Sequence, residues 1–217
     1  MTAGKGPLIA EFLLLFVAAP LLLRLQPVRH SPVPALWLAS LYCLLVLRST
    51  AGFQPQRLWN AQPLAHSLPS VLALFALAAM VATLLVWRLR PQLLFSFPRT
   101  RPLFWAAVML LYPVLSVYPQ GIIYRVFFFE RYRPLFPGTA ALIVASAAAF
   151  GFAHIIFRSP WPVVLTFFAG LLFAWRYEAT GSLLVSSLEH ALWGCFAFTA
   201  GLGHLFYHGP GRWALRG

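Results

Sequence analysis

Residues 68–87, LPSVLALFALAAMVATLLVW, contain no charged side chain. A helix needs about 20 apolar residues to cross the hydrocarbon core of a bilayer, and this run supplies them. Further apolar runs lie at 8–23, 33–47, 103–118, 121–130, 139–157, 161–175 and 182–206. In lipid every backbone N–H and C=O must be satisfied within the structure, which leaves helices or closed barrels. Barrel strands alternate in hydropathy over about 10 residues, whereas these runs are continuous. The predicted fold is all-α: a polytopic transmembrane helix bundle of about eight segments, one membrane domain over residues 1–217. The runs at 33–47 and 121–130 are short, so the first is expected to tilt little or to enter only partly. The second is expected to continue the preceding segment after a break at Tyr118-Pro119, or to form a buried half-helix.

Composition agrees with that class. Charged residues make up 9% of the chain, where soluble domains carry about 25%, and the mean hydropathy is +0.79. Sixteen Lys and Arg face four acidic residues, all Glu, for a net charge of +12. Most of the arginines flank apolar runs, as at Arg24, Arg29, Arg48, Arg88, Arg90, Arg99 and Arg101. Loops beside membrane helices carry such an excess where they meet anionic lipid headgroups. The partners this implies are membrane lipids, not nucleic acid. The loop at 88–102 reads as cytoplasmic, with Arg24 and Arg29 on the same side and Arg48 and Arg57 opposite. The N-terminal stretch contains Glu11 and no A-x-A cleavage pattern, so it reads as a retained helix rather than a signal peptide. Cys43 and Cys195 sit in apolar runs and read as small buried hydrophobes.

Four polar residues stand out because they lie at membrane depth. They are Arg125 in QGIIYRVFFF, His154 in AAAFGFAHIIF, and the adjacent Glu189 and His190 in LLVSSLEHALWGCFAF. An ionisable side chain there costs roughly 2.5–3.5 kcal/mol and persists where it faces a polar partner or a wet cavity. Arg125, His154 and His190 are therefore expected to converge on one site. Phe150 precedes His154 by four residues and shares its helix face. Glu189 and His190 are about 100° apart on a helix, so one can face the site while the other pairs with Arg125 or Arg176. A buried unpaired Glu189 would suit a general base; its other reading is a salt-bridge partner. His204 and His208 are spaced to share a face, but their aromatic neighbours favour an interfacial belt.

Together these segments resemble the CPBP family, the CAAX proteases and bacteriocin-processing enzymes. The family pattern is Glu-Glu-x-x-x-Arg, then Phe-x-x-x-His, then His-x-x-x-Asn or Asp. Here the second motif is intact as Phe150-Gly-Phe-Ala-His154. The third keeps His190 but has Gly194 four residues on, and the first reads Gln120-Gly121-Ile-Ile-Tyr-Arg125. The resemblance covers roughly residues 100–207. It implies an intramembrane endopeptidase whose glutamate activates water while the histidines stabilise the oxyanion or, in an older view, hold a metal. Both motif glutamates are lost at Gln120 and Gly121, and Gln takes no proton from water near neutral pH.

The resemblance thus implies a CPBP-type endopeptidase or weakly active homologue, acting on a membrane-associated or prenylated peptide. The alternative is an inactive pseudoprotease that binds such a partner. The catalytic set would be Arg125, His154, His190 and Glu189, supported by Phe150 and Gly194. No cofactor is expected. Catalytic zinc uses three protein ligands, and two histidines with Glu189 as the sole plausible third fall short. The long strings YPQGIIYRVFFFERYRPLF and EHALWGCFAFTAGLGHLFYHG look like a proteobacterial branch, which implies the bacterial inner membrane.

Overall fold

A computed structural model describes residues 4–25 and 31–206. Among them every regular element is helical. Seven long helices follow one another: α1 (Lys5–Leu25), α2 (Val33–Arg48), α3 (Leu64–Leu89), α4 (Pro102–Leu135), α5 (Thr139–Phe157), α6 (Pro160–Thr180) and α7 (Leu183–Ala200). All but α2 are long and apolar enough to cross a membrane. The protein is an integral membrane protein.

The two runs at 103–118 and 121–130 are one helix, and the expected break at Tyr118-Pro119 is absent. The reason lies in how α4 absorbs its prolines. A proline has no N–H, so the carbonyl four residues earlier loses its helical donor. In membranes a neighbouring helix can supply a replacement. Trp37 of α2 donates its indole N–H to the Leu115 carbonyl at 3.1 Å, four residues before Pro119. Cys195 of α7 directs its thiol at the Met109 carbonyl at 3.9 Å, four residues before Pro113. Two π-helical turns, Pro113–Val117 and Ile122–Phe127, take up the remaining misfit. Such turns often mark functional positions in helices.

The second half of α4 is the centre of the bundle. Residues 121–129 are all buried, as expected of a helix apolar on every side. It touches α1, α2, α5, α6 and α7. Helices α5 and α6 pack closely because their contact is built from small residues. A side chain at Gly170 would come within 3.1 Å of the Ala147 backbone, and one at Gly151 within 3.0 Å of the Val163 carbonyl. Helix α3 leans on α7. Ser182 caps α7 by accepting the Val185 N–H at 3.2 Å. Gly201 ends it at φ 96°, a left-handed turn in which glycine is at no disadvantage.

Polar contacts tie the helices together at both ends of the bundle. At one end Arg57 pairs with Glu130 at 2.8 Å, and Arg133 with Glu178 at 2.9 Å. At the other, Arg158 donates to the Arg24 carbonyl at 3.0 Å. Arg29, His30, His208 and the last residue of the 100–207 core lie outside the described residues.

Candidate functional site

Phe150 of α5 is the hub of the site. The Arg125 guanidinium lies 4.3 Å from its ring centroid. The His154 ring packs edge-on at 4.9 Å and the His190 ring at 5.4 Å. Phe173 of α6 forms the second wall: it stacks on His190 at 4.7 Å and lies 5.4 Å from Arg125. Arg125, His154 and His190, widely spaced in the chain, thus surround one aromatic ring. The π-helical turn at Ile122–Phe127 carries Arg125 into this position.

Each histidine is oriented. His154 Nδ1 sits 2.7 Å from the Phe150 carbonyl. A carbonyl only accepts, so Nδ1 carries the hydrogen and Nε2 keeps its lone pair. His190 Nε2 faces the Tyr112 hydroxyl at 3.4 Å. Tyr112 was not among the residues singled out from the sequence. Its ring fills the space beside Gly194, where the family's third motif has a side chain. A Cβ built at Gly194 would overlap the Tyr112 ring. The loss of a side chain at residue 194 therefore makes room for a tyrosine from α4, whose hydroxyl reaches the same imidazole. No local pattern signals this, because residues 112 and 194 meet only after α4 and α7 pack. Gly194→Ala is expected to cost about 1–3 kcal/mol through overpacking. The cost should shrink in a Tyr112→Leu background, giving a non-additive double-mutant cycle in thermal unfolding of the detergent-solubilised protein.

The first-motif positions are occupied differently. Gln120 turns back on its own helix and donates to Ser116 Oγ at 2.7 Å, leaving its amide oxygen without a protein partner. Gly121 faces α7, where a side chain would come within 2.6 Å of Leu183 Cδ1 and 3.1 Å of Ser187 Oγ.

Glu189 takes the salt-bridge role. It is fully buried and receives Arg176 of α6 through two hydrogen bonds of 2.9 and 3.1 Å. Arg176 also donates to Ser70 of α3 at 2.9 Å. Of the two readings of Glu189, a free base beside His190 and a salt-bridge partner, the geometry matches the second. Both carboxylate oxygens are engaged by a cation on the face turned to α3 and α6. The helical offset of about 100° between neighbours puts His190 in the site and Glu189 out of it.

The other three glutamates are also committed. Glu130 pairs with Arg57 and Glu178 with Arg133. Glu11 accepts two hydrogen bonds from Arg131 at 3.0 Å and one from Tyr132 at 2.8 Å. His204 is tied to the Gly201 carbonyl at 2.8 Å. Among the described residues, no three His, Cys, Asp or Glu side chains cluster as metal ligands would. A catalytic zinc uses three, so the side chains here do not fit one. Metal analysis of the purified protein is expected to find less than stoichiometric zinc, with no change on His154→Ala.

Residues 101–196 match the family described as Rce1-like, type II CAAX prenyl endopeptidase. No curated protein and no solved structure matches the chain.

Proposed function

Because the chain belongs to the CPBP family of CAAX-protease-like membrane proteins through residues 101–196, we propose that it is a pseudoprotease. In this reading it binds a membrane-associated or prenylated peptide in the family's site and does not cleave it. One observation carries the reading: every glutamate in the chain is held in an ion pair outside the site, and the sequence contains no aspartate. Water attack on an amide needs a base within hydrogen-bond reach of that water. Gln120 and Gly121 offer none. What remains is a polar floor of Arg125, His154, His190 and Tyr112 around two phenylalanine rings, able to bind a peptide's polar backbone. Its setting would be a bacterial inner membrane, a reading supported by the likeness of the two long motif strings to proteobacterial sequences.

The test is cleavage of a prenylated, membrane-tethered peptide by the reconstituted protein. No turnover above an empty-liposome control is expected. Turnover abolished by Glu189→Gln in a variant that unfolds at the parent's temperature would overturn the reading and return Glu189 to the role of base.

A second reading, a weak endopeptidase, is favoured by the free Nε2 of His154. It would appear as slow turnover lost on His154→Gln and retained by Arg176→Met paired with Glu189→Gln, which removes the carboxylate without leaving a buried charge unpaired.

A further inference from the structure

Arg125 is 1% exposed, yet none of its three guanidinium nitrogens has a hydrogen-bond partner among the described residues. The contrast with Arg176 is direct. That arginine, 4% exposed, is met by both oxygens of Glu189 and by Ser70. A guanidinium stays charged and carries five N–H donors. The faces of Phe150 and Phe173 offset part of the cost through cation–π attraction, but a ring face offers no oxygen to those donors. A buried charge without an acceptor is costly, and no described residue hydrogen-bonds to these nitrogens. Gln120 is tied to Ser116, Leu183 fills the space beside Gly121, and Glu189 belongs to Arg176.

We infer that Arg125 is the receptor for a single carboxylate carried by an apolar, membrane-embedded ligand. The inference rests on the reading of the site as one that binds. A carboxylate matches the planar guanidinium fork with two parallel hydrogen bonds and brings one negative charge. Phe150 and Phe173 bear no other cation among the described residues, so a single negative charge balances the one at Arg125. The walls of the site are aromatic, which suits an apolar body behind the carboxylate. Burial falls off in one direction, from Arg125 at 1% and His190 at 7% to the half-buried His154. Entry is therefore past His154, whose free Nε2 and whose neighbours Phe157 and Phe206 line the approach. Two sources share this chemistry: the C-terminal carboxylate of an apolar peptide and the headgroup of a free fatty acid.

The experiment measures binding to the full chain in detergent micelles by titration calorimetry. One arm compares oleate with methyl oleate. The other compares an N-acetylated apolar hexapeptide bearing a free C-terminal carboxylate with its C-terminal amide. At least one acid is expected to bind about tenfold or more tightly than its neutral counterpart, as a charge-assisted pair implies. The arm in which this occurs identifies the source. Arg125→Met should abolish the preference while the variant unfolds at the same temperature as the parent or higher, since an unpaired buried charge has been removed. Should that variant fail to fold, Arg125→Lys keeps the charge and loses the fork, and the preference should weaken. Acid and neutral forms binding alike, neither acid binding, or a preference that survives both substitutions would each overturn the inference. Mass spectrometry of the recovered hexapeptide separates the two ideas: an acid bound but cleaved defeats the pseudoprotease reading alone. An intact peptide, with no acid preference in either arm, defeats the carboxylate site alone.

Discussion

Gln120→Glu is expected to raise cleavage of a membrane-tethered peptide by about 10²–10⁴-fold over the parent, the range typical of a general base. The substitution is isosteric, and Ser116 Oγ, now 2.7 Å from the Gln120 amide nitrogen, can donate its hydroxyl hydrogen to the new carboxylate. The neighbouring position behaves differently. A side chain at Gly121 meets Leu183 at 2.6 Å, so Gly121→Glu alone should destabilise the fold and add little activity. Pairing it with Leu183→Ala should restore folding. The measurement is product formation in liposomes, with thermal unfolding recorded in parallel. A well-folded Gln120→Glu protein that stays inactive would show that more than the carboxylate has been lost, with the Tyr112–Gly194 exchange the next suspect.

Removing one partner of the buried pair between α6 and α7 should produce the largest loss of stability. Arg176→Met leaves Glu189 fully buried with no counter-charge. Breaking such a pair from one side costs about 3–5 kcal/mol. Replacing both residues, Arg176→Met with Glu189→Gln, should recover most of that loss, because buried pairs are often neutral against uncharged replacements of similar volume. Denaturant or thermal unfolding in micelles checks both. Were Glu189 instead a base in the site, Glu189→Gln would leave stability nearly unchanged and alter only turnover.

Much of this protein was legible before any fold was known. The apolar runs, the order of Arg125, His154 and His190, and the absence of carboxylates at residues 120 and 121 all lie on the surface of the sequence. Three features were not. Tyr118-Pro119 looks like a helix break, since proline's effect on its own helix is local and visible. The repair is remote: Trp37 from α2 supplies the donor that Leu115 lost. Glu189 looks like a neighbour of His190 because adjacency is what a sequence records. The direction in which each side chain finds its partner depends on where α3 and α6 stand. Tyr112 carries no motif at all, and it becomes part of the site only because Gly194 leaves a gap opposite it.

The sequence by itself determined that the chain is a membrane helix bundle with four polar positions that must be satisfied. The cost of polar groups in hydrocarbon applies to any arrangement of these helices. Tertiary structure alone decided which of those positions are satisfied and by what. Arg176 found Glu189, His190 faces Tyr112, and Arg125 packs on Phe150 with its hydrogen-bond donors still open. Such pairings are set by distances between helices that a linear order of residues does not contain.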